Sequence, residues 1–261
     1  NQITEIDLSS NTTLSNLECG SNQLTSLDVS SNTALTSLAC QNNQLTYLNM
    51  KNGLTEQVTD FNVTGNSSLT CIETLDPVYA TANWTSANNN IDAGVTFDFI
   101  CGSEARTHWY VATTGSDISG SGTLTSPLAN IQTAINTSTQ YDTVSVAIGI
   151  YVENIDYNGK NISVIGEDRE TTIIDGNQSG SVVTIPSGGD GSLLKNFTIQ
   201  NGVGQEWLYG GSGGGILIAS LSVLDNLIIQ NNSSSDRGGG IYFADHSGNS
   251  KLKNSIVNNN V

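Results

Sequence analysis

The chain has 261 residues, with 24 Asp and Glu set against 8 Lys and Arg, for a formal net charge of −16. This balance repels phosphate backbones and argues against nucleic acid as a partner; it also disfavours an acidic polysaccharide unless cations bridge the two. With 27 Gly, 3 Pro and only short apolar runs, the composition disfavours long helices, favours short strands joined by turns, and contains no stretch of membrane-spanning length.

The first elements repeat. "NQITEIDLSSNTTLSNLECGS", "NQLTSLDVSSNTALTSLACQN" and "NQLTYLNM" begin at Asn1, Asn22 and Asn43, 21 residues apart. Ile6, Leu27 and Leu48 share one column, and Leu8, Val29 and Met50 share another. A half-period lies inside each unit, since "LTSLDVSSN" and "LTSLACQNN" both fit L-x-x-L-x-x-x-x-N. One turn therefore has two extended sides that point apolar residues inward, and stacked turns bury what one turn cannot. Asn side chains at fixed places can satisfy backbone groups where the chain bends, with Asn11 and Asn32 as one expected ladder and Asn22 and Asn43 as another.

These motifs resemble the bacterial 21-residue leucine-rich repeat over residues 1 to about 50. "KNGLTEQVTDFNVTGNSSLTCI" then reads as an irregular last turn that keeps Phe61, Val63, Asn66 and Leu69. The following residues, to 101, resemble the capping segment of secreted Bacteroidetes proteins, which implies export of the type IX secretion kind. Val78, Tyr79, Trp84, Val95, Phe97 and Phe99 are the expected cover for the solenoid end. Cys71 and Cys101 bracket this cap, and a disulfide between them would imply an oxidising compartment. Cys19 and Cys40 occupy equivalent inward places. They read most simply as small buried hydrophobes, although stacked positions roughly 4.8 Å apart do not exclude a bridge. The Cys spacing does not suit a zinc site.

Residues 102–108, "GSEARTH", read as a linker between a domain at 1–101 and one at 109–261. The second domain opens with Y-V-x-x-x-G-x-D at 110–117, S-P-x-x-x-I-Q-x-A-I at 126–135 and D-T-V-x-V-x-x-G-x-Y-x-E-N at 142–154. These pieces resemble the start of the right-handed parallel β-helix proteins of the pectin-lyase-like class. Where that class places Gly before Asp-Thr, this chain has Tyr141, so a locally different turn is expected. Leu128, Ile131, Ala134 and Ile135 fall on one helical face, as suits a plug for the open end of the helix. Strands are expected in "TVSVAI", "NISVIG", "TTIID" and "SVVTI", and then in three aligned units carrying Asn196, Asn226 and Asn254. Glycines of the two "GGGI" runs are expected to supply positive-φ bends. The chain ends directly after a strand, and further rungs or domains are expected to follow. The fold class is thus mainly β, two solenoids in tandem.

The resemblance to pectin-lyase-like proteins implies a polysaccharide lyase or glycoside hydrolase as one function. Lys195, Asp225 and Lys253 form an outward stripe that a lyase could use, but a salt-bridge ladder explains it more simply. Glu167, Asp168 and Asp175 sit near turns without forming a paired-carboxylate cluster, so no catalytic residue is assigned. The favoured reading is a non-catalytic, secreted or cell-surface adhesin that binds an extracellular glycan or a surface protein. Trp207 and Tyr209, on a Gly-rich insertion, are its candidate contacts, with Asp236 and Tyr242 on the next. No cofactor or metal is assigned, although these oxygen-rich loops could take Ca²⁺. A third reading is a purely structural stalk.

Overall fold

Short segments of three or four residues alternate between apolar and polar positions along most of the chain, and such segments form strands only when another strand pairs with them. In the computed structural model, which describes residues 2–102, 106–204, 213–244 and 248–261, they do so as parallel sheets. The fold is mainly β and is compatible with a β-helix, one strand of each sheet per coil. The chain divides into two compact units, Asn1–Ser103 and Glu104–Val261. Among the described residues no helix is long and apolar enough to cross a membrane.

In the first unit one sheet stacks Asn16–Glu18, Ser37–Ala39 and Asp60–Asn62; a second stacks Ser26–Asp28, Tyr47–Asn49, Cys71–Glu73 and Thr96–Asp98. The sequence period becomes the strand register. Leu17 faces Leu38 and then Phe61, while Leu27 faces Leu48, all within the core. The last of these steps is longer, with Ser37 meeting Asp60 across 23 residues; a 3-10 turn, Thr55–Gln57, lies in the longer connection.

Asparagines close the bends. Asn43 Nδ2 donates to the carbonyls of Cys19 (3.0 Å) and Cys40 (3.1 Å), and its Oδ1 accepts from Leu24 N (3.0 Å). Asn66 does the same one coil on, with Cys40, Val63 and Leu45. Asn32 reaches the backbone oxygens of Leu8 and Asn11. Each amide replaces water for carbonyls turned toward the interior.

The cap begins with helix α1, Pro77–Asn83. Asp76 accepts from Tyr79 N at 2.8 Å, and Pro77 supplies the fixed φ that suits a first turn. Trp84 is buried, stacking on Phe61 with centroids 4.0 Å apart, and Val95 and Phe97 pack nearby. Val78 departs from the expectation: it is 80% exposed and covers nothing, because it lies on the outer face of α1. A disulfide joins Cys71 to Cys101, and a second joins Cys19 to Cys40, whose Cα atoms are 4.8 Å apart. The reading of Cys19 and Cys40 as unlinked hydrophobes is therefore corrected; parallel stacking brings their side chains to the same side at bridging distance.

One ion pair is sunk in this unit. Lys51 Nζ lies 2.8 Å from Glu73 Oε2, both side chains nearly inaccessible. Lys51 also donates to Phe99 O, while Glu73 accepts from Cys101 N and from the Tyr47 hydroxyl. The pair thus ties the repeat coils to the cap.

The second unit has three principal sheets. The six-stranded one orders His108–Val111, Thr143–Val146, Ser163–Gly166, Ser192–Lys195, Ser222–Asp225 and Lys251–Lys253. The five-stranded one begins at Gly149–Val152 and the four-stranded one at Ile155–Asp156. Trp109, Val144, Val164, Leu194 and Leu224 form one buried row; Tyr151, Ile174, Ile199 and Ile229 form another. The buried Trp109 indole, with the Arg106 guanidinium 4.9 Å above its ring, donates to the buried Asp142 carboxylate at 3.1 Å.

The aligned Asn196, Asn226 and Asn254 have φ of 63°, 56° and 50°, so they turn the corner of each coil. Asn tolerates this left-handed conformation better than other side chains do. An inward Asn ladder is made by Asn232, which donates to Ile199 O, and Asn260, which donates to Ile229 O. Of the "GGGI" glycines only Gly238 has positive φ. The others are needed for close approach: a Cβ on Gly214 would collide with the carbonyls of Ser233 and Gly239.

Helix α2, Ile131–Thr137, buries Ile131, Ala134 and Ile135. Leu128 is buried too, but as a bridge partner of Val111 before the helix starts. Later residues hold both ends of α2. Glu153 accepts from Ile131 N and Gln132 N, each at 2.9 Å. Lys160 Nζ donates to the carbonyls of Ile135, Asn136 and Ser138, each at 2.8 Å. A negative group at the N-terminus and a positive one at the C-terminus oppose the helix dipole. Burial raises the Glu153 carboxyl above its usual range, against the two backbone N–H groups it accepts.

Candidate functional site

Strand alternation places Trp109 and Val111 inside, so His108 and Tyr110 face out. Tyr110 is paired with Ser145, Ser145 with Ile165, and Ile165 with Lys195, which forms one outward row across four coils. At the start of this row lies a groove of about 840 Å³, within the size range of ligand pockets. Tyr110, Ser145, Ile165, Glu167 and Asn196 line it from the sheet side, and Leu124, Thr125 and Pro127 form the opposite wall.

That wall is fixed by the chain between residues 112 and 128. Ser116 N donates to Pro127 O and Gly120 N to Ser116 O. Asp117 accepts from Ala129 N and Asn130 N, tying the loop to the entry of α2. Gly115 and Gly120 have no room for a side chain, since a Cβ on either would collide with the carbonyl of Pro127. The groove wall is therefore held by backbone hydrogen bonds and close packing.

Its chemistry is mixed. The Tyr110 ring stacks on the His108 ring with centroids 4.6 Å apart and planes 15° apart, and His108 Nε2 lies 2.8 Å from Ser145 Oγ. Leu124, 73% exposed, forms an apolar rim. Hydroxyls of Thr114, Thr125 and Ser145, the Asn196 amide and the Glu167 carboxylate supply polar contacts; Glu167 is the charged side chain among the lining residues. An apolar, aromatic platform with a few convergent polar groups can hold a ligand that has one greasy face and several hydroxyls.

Tyr141 stands where the chain enters the second strand of the same sheet. Its φ is +73°, its N–H donates to Asn161 O at 2.6 Å, and its side chain is 81% exposed. Tyr141 thus holds a left-handed backbone conformation of the kind glycine favours.

The candidates read from sequence lie elsewhere. Trp207 and Tyr209 fall outside the described residues. Asp236 is exposed and pairs with Arg237 at 3.8 Å, and Tyr242 is half-buried within Ile241–Phe243. Neither lines the groove. The Lys195–Asp225–Lys253 stripe is present, with Lys195 Nζ 3.6 Å from Asp225. The Asn254 amide and then Lys195 hold the Asp225 carboxyl below its usual range, so it is a partner for cations rather than a proton donor. Tyr110, Ser145 and Ile165 of the groove lie on strands rather than on the loop insertions, and the alternation His108-x-Tyr110 is the sequence signal for them. Compared with protein-family models and with curated proteins, the chain matches none.

Proposed function

We propose that this chain is a non-catalytic binding module of a secreted or cell-surface protein. In this reading a leucine-rich-repeat solenoid of the bacterial 21-residue type, with its cap, precedes a right-handed parallel β-helix, and the β-helix binds an extracellular glycan or surface protein. The observation that carries it is the groove beside Tyr110, whose outer wall is tied down by backbone hydrogen bonds. Two disulfides and the absence of free cysteine among the described residues support an oxidising compartment. The reading uses no cofactor, so chelation should leave binding unchanged.

The test is a glycan array and a panel of extracellular proteins probed with the full chain. Specific capture that falls at least about tenfold in Tyr110→Ala supports the assignment. Capture indifferent to Tyr110 would move the site away from the groove. Release of ultraviolet-absorbing unsaturated product from any polysaccharide would replace the binding role with a lyase.

A further inference from the structure

We infer that the groove's ligand is an uncharged oligosaccharide lying along the strand Thr143–Val146, with Tyr141 as a second aromatic contact at its far end. The inference rests on the binding reading above and specifies the ligand for that site.

Two observations lead to Tyr141. A non-glycine residue at φ +73° strains the backbone, and such strain persists when the position serves something other than the fold. The ring, being 81% exposed, returns almost no burial in exchange. Glycine would adopt the same conformation freely. The side chain therefore does little for folding, and its use lies outside the molecule.

The position of Tyr141 connects it to the groove. It enters the strand whose Thr143 pairs with His108 and whose Ser145 pairs with Tyr110. The path from Tyr141 to Ser145 is at most about 13 Å at strand rise. That span suits a short oligosaccharide better than a single ring. The face of the part-exposed Tyr110 that does not stack on His108, and the exposed ring of Tyr141, then meet the apolar faces of separate sugar rings.

The charge pattern selects an uncharged chain. The groove contains one carboxylate, Glu167, and no Lys or Arg lines it. A uronate chain would meet that carboxylate on a protein of net charge −16. The cations of the outward row begin only at Lys195, which already pairs with Asp225. Sugar hydroxyls, in contrast, can donate to Glu167 and exchange hydrogen bonds with Ser145 and Thr125.

The experiment titrates the full chain with cello-, xylo- and manno-oligosaccharides and with oligogalacturonate by calorimetry. Three proteins are compared: wild type, Leu124→Ser on the exposed groove rim, and Tyr141→Gly. The expected result is binding of one neutral series, strongly weakened by Leu124→Ser and weakened roughly threefold to tenfold by Tyr141→Gly. Tyr141→Gly should meanwhile melt at the same temperature or higher, which separates a contact role from a structural one. Preference for oligogalacturonate would overturn the ligand class. Wild-type affinity in Tyr141→Gly would overturn the path along the strand while leaving the groove as the site. Binding of surface proteins but of no sugar would overturn this inference alone, and binding of nothing would overturn the module reading with it.

Discussion

Lys51 and Glu73 show how one residue pair can govern a unit. Each is almost wholly removed from water and each is charged, so removing one partner strands the other. Glu73→Gln should cost about 3–5 kcal/mol of stability in chemical denaturation, whereas the double change to Met at 51 and Leu at 73 should recover most of it. Equal losses in the single and double variants would show that shape, not charge, matters there. Nothing in the sequence marks this pair. Lys51 follows Met50 in a place where the earlier coils carry Ser9 and Ser30, and a Lys there reads as solvated. Only the folding back of the cap, which brings Phe99 O and Cys101 N against the pair, buries it. Tyr110 was more legible, because simple alternation turns it outward; the groove was not, since Leu124 and Asn196 reach it from distant parts of the chain.

At the scale of elements, α2 is the informative case. Seven residues cannot hold a helix by themselves in water. Its apolar face was readable from the spacing of Ile131, Ala134 and Ile135, but its fastening was not, because Glu153 and Lys160 lie beyond it in sequence. Lys160→Met removes three charge-assisted bonds and should destabilise the unit by about 2–3 kcal/mol. Hydrogen exchange across residues 131–137 should accelerate while the strand Ser163–Gly166 stays protected. Unchanged exchange in the helix would mean that packing alone retains it. The strands were legible for the opposite reason: a 21-residue period and repeated apolar runs become the register of parallel neighbours, as Leu17 with Leu38 and Val144 with Val164 show. The glycine runs are legible, and Gly238 does supply a positive-φ bend, but the close approach at the others is not, because close packing of backbones leaves no periodic trace distinct from that of a bend.

At the scale of the molecule, the two compact units differ in how they are held. All four cysteines, and so both disulfides, belong to Asn1–Ser103. Each bridge closes a loop of 21 or 30 residues, worth about 3–4 kcal/mol through the unfolded chain. Calorimetry should therefore show two transitions. A reductant should lower one by more than about 10 °C and leave the other in place. A single transition that moves as a whole would mean that the units unfold together.

The manner in which α2 is fastened also sets an order of events. Glu153 and Lys160 reach back over 21 to 25 residues, so the stopper leaves the ribosome before its bolts exist. The short helix is secured from behind, once later chain has swung into place. A protease nick at the protruding Tyr141, between stopper and bolts, would cut the tether that makes this return local and leave the seal to chance encounter.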